Sequence, residues 1–279
     1  MKIGFIGLGT MGMPMCQNLL KHHIQLAVYN KTEEKAKPLA EKGAISLKSE
    51  QALAQWADAV IIMVPDDAAV KGVVEKIASE GKIIINMSTI SVELARELAK
   101  KSEEEGFEFI NAPVSGSKKP AEDGQLIILY GGKAELLLRL EKMFKAMGKE
   151  IVNAGSPEDA AKLKLIVNFL MAGMLESLAE SMVLMKKLGL NQEILLKTVE
   201  QGAMNCPMIK MKGPAMMQNN FEPAFATKHI LKDLKYLEQE AEKHNYGIKS
   251  NVIELYSQSN KSFSDKDLSA VYRMLELGK

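Results

Sequence analysis

Six residues, GLGTMG at positions 7–12, constrain this chain more than any other stretch. They follow the strand-like run KIGFIG (2–7) and open the apolar helical run MPMCQNLL. Gly7, Gly9 and Gly12 have the GxGxxG spacing. The first glycine permits a tight strand-to-helix turn, the second a close approach of the backbone to a pyrophosphate, and the third close helix–sheet packing. Leu8, Thr10 and Met11 fill the spacing and are expected to bind the cofactor with it, at a helix N-terminus whose dipole favours an anion. The spacing alone also fits a plain tight turn; the strand before it, the helix behind it and a second strand after it make it a dinucleotide signal.

The rest of the first half agrees with a doubly wound sheet. QLAVYN (25–30), AVIIMV (59–64), KIIINM (82–87) and FEFINAP (107–113) read as strands, with LIILYGG and EIVNAG as later ones. TEEKAKPLAEKG, DDAAVKGVVEKIASEG and SVELARELAKKSEEEG have helical spacing, with Gly43, Gly81 and Gly106 expected as C-caps. Uniformly apolar strands alternating with helices imply a parallel sheet covered on both faces. Beyond residue 156 the pattern is helical: 157–188, 191–202, 206–218, 226–245, 248–260 and 265–277. The expected class is α/β, a Rossmann-type doubly wound parallel sheet in residues 1–156 followed by an all-α domain in 157–279.

At the end of the second strand, where NAD sites place an acid for the ribose 2′-hydroxyl, this chain has Asn30-Lys31-Thr32. No carboxylate stands there to repel a 2′-phosphate, and a cation and a hydroxyl could hold one, so NADP(H) is expected over NAD(H). The alternative is a solvated Lys31 and a Thr32 that caps a helix.

The stretch DAAKLKLIVNFLMAGM (159–174) puts two lysines and one asparagine on an otherwise apolar helix. At about 100° per residue, Lys162, Glu176 and Glu180 share a polar stripe, whereas Lys164 and Asn168 lie one turn apart on a different face. Lys162 therefore reads as a solvated residue. Lys164 and Asn168 read as polar groups in an apolar wall, where burial is costly without partners or a function. Helical geometry leaves open whether Lys164 instead snorkels to the surface. The helix itself is expected to be buried, since Asn168 interrupts its apolar run and Glu176 and Glu180 follow.

Several classes are disfavoured. The 36 basic and 35 acidic residues nearly cancel, giving no electrostatic reason to expect nucleic acid or an acidic membrane as partner. Cys16 and Cys206 match no metal-ligand spacing, and so few thiols suit a reducing, cytoplasmic setting. No basic, apolar and cleavage-like leader precedes the first strand. His22, His23 and His244 read as solvent-facing, and His229 as a helix-surface residue. Lys118 and Lys119 read as a solvated loop.

Together these segments resemble the β-hydroxyacid dehydrogenase family, which includes 3-hydroxyisobutyrate, tartronate semialdehyde and 6-phosphogluconate enzymes. The resemblance spans essentially the whole chain: FIGLGTMGMPMCQNLL, NMST (86–89), APVSGSKKPAEDGQL (112–126), the run holding Lys164 and Asn168, and LKDL (231–234). The wording APVSGSKKPAEDGQLIIL, with KLKLIVN and GAMNCPMIKMKGP, is most similar to glyoxylate and succinic semialdehyde reductases. That subgroup carries Asn-Arg-Thr after the second strand; Lys31 keeps the charge but loses bidentate phosphate geometry.

The resemblance implies a 6-phosphogluconate dehydrogenase-like fold and a set of roles. Ser115 and Gly116 would bind a substrate carboxylate, and Phe225 and Asp233 would line its pocket. Val64, Pro65 and Thr89 would contact the nicotinamide end, and Lys232 would approach the cofactor. Lys164 would be the general acid and Asn168 its helper. The expected substrate is a small carboxylate-bearing aldehyde or hydroxy acid, and a homo-oligomer, dimer or tetramer, is expected by analogy. A 3-hydroxyisobutyrate-type dehydrogenase using NAD(P) is the alternative activity. A non-catalytic binding module is the rival from another class, and imine reduction is conceivable on the same scaffold. A lone Asp233 beside Lys232 and Lys235 also fits a surface ion pair, and Phe225 also fits a core position.

Overall fold

The computed structural model describes residues 1–278. Nine strands form one sheet: β1 (Ile3–Ile6), β2 (Leu26–Tyr29), β3 (Ile45–Ser46), β4 (Ala59–Ile62), β5 (Ile83–Asn86), β6 (Glu108–Asn111), β7 (Val114–Ser115), β8 (Leu126–Gly131) and β9 (Gly148–Gly155). Their order is β3-β2-β1-β4-β5-β6-β8-β7, with β9 on β8. From β3 to β6 every pairing is parallel, with Ile3 level with both Leu26 and Ala59. The order reverses direction at β1 and β4, which creates a crevice at the carboxyl ends of the strands where such folds bind ligands. β1, β4 and β5 are buried along their whole length, as apolar strands covered on both faces must be.

The sheet is not parallel throughout. β8 runs antiparallel to β6 and β7 and parallel to β9. The two-residue strands β3 and β7 were too short to show a period of two in the sequence, and the helices Glu50–Trp56, Lys118–Glu122 and Ala134–Met147 were also not anticipated.

Helix ends follow local chemistry. The side chains of Ser49, Asp66 and Ser91 accept from Ala52, Ala69 and Leu94 N–H at 3.1, 2.9 and 3.1 Å, each capping a helix. Gly106 is a left-handed C-cap as expected. Gly81 is not: the helix Asp67–Ile77 ends at Ala78, and Gly81 belongs to the turn before β5. The segment expected as one helix over 32–43 is a 3₁₀ turn, Glu33–Ala36, followed by Lys37–Ala40. Pro38 has no N–H to bond back to Glu34 O, which suits it to the first turn of a new helix, and the segment divides there.

The second half is helical: Pro157–Lys187, Gln192–Gln201, Pro207–Met217, Thr227–Lys243, Val252–Phe263, and the 3₁₀ turn Leu268–Ala270 running into Val271–Glu276. Its core gathers Leu175, Met182, Met216, Ile230, Leu234, Tyr256 and Val271. Packing divides the chain into residues 1–165 and 166–279, a division that falls inside the helix Pro157–Lys187.

That 31-residue helix starts with a reciprocal cap. Asp159 N–H donates to Ser156 Oγ (3.1 Å), while Ser156 N–H and Oγ donate to Asp159 Oδ2 (3.2 and 2.7 Å). The expectation of a buried helix needs correction. Leu165, Ala172, Leu175, Ala179 and Met182 are buried, but Ile166, Leu170, Met174 and Leu184 are exposed along one side. Among the described residues it is the one helix long and apolar enough to cross a bilayer by length and composition. Lys164, Asn168 and Glu176 lie on its buried side.

Candidate active site

The three glycines of the 7–12 loop serve three different needs. Gly7 follows β1 with φ +102°, and a Cβ there would meet Met63 O at 2.1 Å. A Cβ on Gly12 would meet Gly7 O at 2.0 Å, so the helix Gly12–Lys21 packs on its own loop only without one. Around Gly9 nothing lies within 4 Å of an added Cβ. The one glycine that the fold does not need is the one through which a pyrophosphate would approach. Leu8 is buried, its N–H donating to Asn30 Oδ1 (2.9 Å), and Asn30 Nδ2 donates to Thr32 O (2.9 Å). Asn30 thereby locks the loop to the end of β2. Thr10, Lys31 and Thr32 are exposed and Met11 half-buried. Thr32 precedes the 3₁₀ turn, but its side chain makes no capping hydrogen bond.

The carboxyl ends of β4, β5 and β6 are wired together by amides. Ser88 Oγ accepts from Val64 N–H (2.9 Å) and donates to Ile62 O (3.4 Å). Ser88 N–H donates to Asn86 Oδ1 (3.1 Å), Asn86 Nδ2 to Asn111 Oδ1 (2.8 Å), and Asn111 Nδ2 to Pro157 O (2.9 Å). This relay is buried and runs from the Val64-Pro65 loop, past the half-buried Thr89, to the first residue of the long helix. Sequence reasoning singled out Thr89 and missed Asn86, Ser88 and Asn111. The available signal was an asparagine closing each of two strands after a buried apolar pair, Ile84-Ile85 and Phe109-Ile110.

Ser115 ends β7 and is half-buried, and Gly116 follows at φ +129°, a conformation that favours glycine. A Cβ on Gly116 would meet Leu126 Cδ2 at 2.9 Å. Lys118 and Lys119 form the first turn of a short helix rather than a loop, pairing with Glu122 and Asp123 at 3.8 and 2.6 Å.

On the long helix the two lysines part company. Lys162 is partly exposed and sits 3.3 Å from Asp159. Lys164 is 7% exposed and Asn168 2%. Asn168 Nδ2 donates to Asp233 Oδ2 at 2.6 Å. Asp233 is 1% exposed, with Lys232 Nζ 2.8 Å from its Oδ1 and 4.6 Å from the Tyr236 ring centre. Asp233 is therefore part of a buried network, not a surface ion pair. Two further expectations change. Glu176 is buried rather than part of a solvated stripe, and its carboxyl is held above the ordinary range by burial and then by the Glu180 charge. His229 is half-buried and stacks on Phe225 (6.4 Å between rings, 6° between planes). Burial, Lys228 and Lys232 lower its pKa, against the opposing charges of Asp233 and Asp265.

Comparison with known proteins gives the family. Residues 2–155 match the family described as the NAD binding domain of 6-phosphogluconate dehydrogenase, and residues 159–275 that described as the NAD-binding of NADP-dependent 3-hydroxyisobutyrate dehydrogenase. Glyoxylate/succinic semialdehyde reductase 2, chloroplastic, of Arabidopsis thaliana is 37% identical over 287 residues, covering 99% of this chain and 80% of that protein. Reductase 1 of the same plant is 40% identical over 242 residues, covering 84% and 83%. The structure of Mycobacterium tuberculosis 3-hydroxyisobutyrate dehydrogenase with L-serine superimposes with a TM-score of 0.89 at 28% identity, covering 98% of both chains. A dinucleotide cradle on a doubly wound sheet, followed by a helical half that matches the same enzymes, places this chain in the β-hydroxyacid dehydrogenase family, oxidoreductases that act on CH–OH groups with a nicotinamide cofactor.

Proposed function

We propose that the protein reduces small aldehyde acids with NADPH, glyoxylate to glycolate and succinic semialdehyde to 4-hydroxybutyrate. The observation that carries this reading is Lys164, a lysine held at 7% exposure one turn before an asparagine that is fixed by a buried carboxylate. The names of the Arabidopsis relatives support the substrate class.

NADPH, when bound, supplies the hydride that reaches the carbonyl carbon. The chain's own residues do the rest. Gly7–Gly12 cradle the pyrophosphate, while Lys31 and Thr32 face the 2′-phosphate, where the absence of an acid favours NADP(H). Val64, Pro65 and Thr89 would contact the nicotinamide end, and Lys232 is a further proposed cofactor contact. In the first unit Ser115 and the Gly116 backbone would bind the substrate carboxylate; in the second, Phe225 and Asp233 are the proposed substrate-pocket residues. Lys164 polarises the carbonyl and gives its proton to the oxygen as the alkoxide develops, and solvent then reprotonates the amine. Asn168, anchored on Asp233, orients the ammonium or the substrate.

The chain divides functionally into a cofactor domain, 1–156, and a substrate and oligomerisation domain, 157–279. The exposed apolar side of the long helix supports a homo-oligomer, and two free cysteines suit a cytoplasmic setting. The second reading, a 3-hydroxyisobutyrate-type dehydrogenase, draws on the Mycobacterium tuberculosis structure. Initial rates on glyoxylate, succinic semialdehyde and 3-hydroxyisobutyrate with each cofactor separate the two. Fast reduction of the aldehyde acids with NADPH is expected; oxidation of 3-hydroxyisobutyrate alone would reject the proposal.

A further inference from the structure

Besides Asp233, the helical half buries carboxylates that the reaction above does not use, and Asp267 is one of them. Asp267 is 1% exposed and immediately precedes the 3₁₀ turn Leu268–Ala270. Its Oδ1 accepts from Lys212 Nζ (2.6 Å), Ser269 Oγ (2.7 Å) and Ser269 N–H (3.1 Å). Its Oδ2 accepts from the backbone N–H groups of Ala224 (3.0 Å) and Phe225 (3.2 Å). One carboxylate thus gathers five donors from three segments: the helix Pro207–Met217, the loop before Thr227, and the C-terminal turn. The main chain reinforces the same joint. Asp267 N–H donates to Phe221 O (3.0 Å), Leu268 N–H to Phe225 O (2.8 Å), and Thr227 N–H to Lys266 O (2.8 Å).

Burying a charge is costly without a partner, and removing one partner of a buried pair leaves the other uncompensated. Lys212, itself only 9% exposed, provides that partner. Burial pushes the Asp267 carboxyl up, but Lys212 and the Ser269 donors outweigh it and hold the group below the ordinary carboxylate range. The carboxylate is therefore ionised at neutral pH, when an ionised acceptor binds two adjacent N–H groups most strongly. Those two N–H groups belong to the backbone that sets where the Phe225 ring points, and His229 stacks on that ring.

We infer that Asp267, charge-balanced by Lys212, is a positioning residue for the reaction and acts through Phe225. It does not touch substrate; it fixes the 224–225 backbone so that the Phe225 ring closes the pocket at one distance. This inference rests on the reading of Phe225 as a pocket residue, and its test separates the two.

Asp267→Asn keeps the size of the side chain but removes the charge and turns one acceptor into a donor. The full-length variant is compared with wild type, Phe225→Ala and the double variant in three measurements. Amide hydrogen exchange over residues 221–226 should accelerate by about tenfold or more while the helix Thr227–Lys243 stays protected. kcat/KM on the aldehyde acid should fall by roughly ten- to a hundredfold, as a displacement of about 1 Å produces, with the NADPH Kd held within about twofold. In the Phe225→Ala background the second substitution should add little, because the two act as one unit. Additive losses, or accelerated exchange with unchanged kcat/KM, would reduce Asp267 to a structural staple and overturn the inference alone. Wild-type kinetics in Phe225→Ala would overturn both the pocket reading and the inference. If Asp267→Asn does not accumulate as folded protein, Lys212→Met carries the same three measurements, with the same direction and a smaller loss expected; no loss overturns the inference.

Discussion

The glycine loop at 7–12 and the segment around Phe225 both hold an irregular piece of backbone in one position, by opposite means. The glycine loop does so by leaving side chains out: an added Cβ would strike a carbonyl oxygen 2.1 Å from Gly7 or 2.0 Å from Gly12. Its determinants are backbone atoms, Gly7 O within the loop itself and Met63 O one strand away in the sheet. The Phe225 segment is held by a side chain brought in, an aspartate 42 positions along the chain, balanced by a lysine 55 positions from it in the other direction. A part made by omission is announced by the glycine spacing itself, and at Gly7 and Gly12 it tolerates no addition. A part made by insertion is invisible locally, and a single charge can unmake it.

The same contrast orders the tests. The largest effect is expected where a side chain supplies chemistry rather than shape. Lys164→Ala should lower turnover by about 10²–10⁴-fold while NADPH binding, followed by fluorescence, stays largely intact. An unchanged rate would remove this lysine from the mechanism.

Within the omitted-side-chain region, the glycines should separate. Gly12→Ala forces a Cβ against Gly7 O and Phe5 and should cost about 1–3 kcal/mol or more in denaturant unfolding. Gly9→Ala meets nothing and should leave stability within about 0.5 kcal/mol. It should nonetheless raise the NADPH Kd by about tenfold, by filling the space through which a pyrophosphate approaches. Equal stability losses in both variants would show that Gly9 is structural after all.

A similar size is expected for cofactor choice. Lys31→Glu places a carboxylate where the 2′-phosphate is proposed to lie, and the NADPH-over-NADH ratio in kcat/KM should fall by about tenfold, ~1.4 kcal/mol. A ratio that does not move would place the 2′-position elsewhere.

The smallest effect concerns His229. Its pKa is lowered in the folded protein by burial, Lys228 and Lys232. As pH falls below the free-imidazole value of about 6.5, the unfolded chain takes up the proton first, so folded stability is lost in that window and restored above it. His229→Gln should flatten this acid limb, seen as a smaller shift of the urea midpoint between about pH 7.5 and about pH 5.5. Identical shifts in both proteins would assign the limb to another group.

What the sequence revealed follows the same division. The glycine spacing, the apolar strands and the separation of Lys162 from Lys164 depend on residues within a turn or a strand of each other, and the structure places them as read. The amide relay through Asn86, Ser88 and Asn111 depends on strand pairing across 25 positions, and a polar residue at a strand end looks ordinary without it. Asp267 and Lys212 went unremarked for the same reason. His229 and Glu176 were misplaced because a charged or polar residue on a helix is exposed by default, and only tertiary packing overrules that. Pro38 is the reverse case: the residue that divides the segment is itself in the sequence, and the helix formers around it do not override it.

The long helix is apolar on both sides, and its buried side also carries polar groups beside Leu165, Leu175 and Met182. Lys164, Asn168 and Glu176 face the interior, and Ile166, Leu170, Met174 and Leu184 face outward. If a second copy covers that outward side, as proposed, the helix ties thermal stability to the amount of protein present. Whatever covers the outward side binds the folded chain and not the unfolded one, so dilution removes stabilisation by mass action. In the proposed homo-oligomer, melting temperature should climb with protein concentration, and exchanging Leu170 for a charged residue should make it flat.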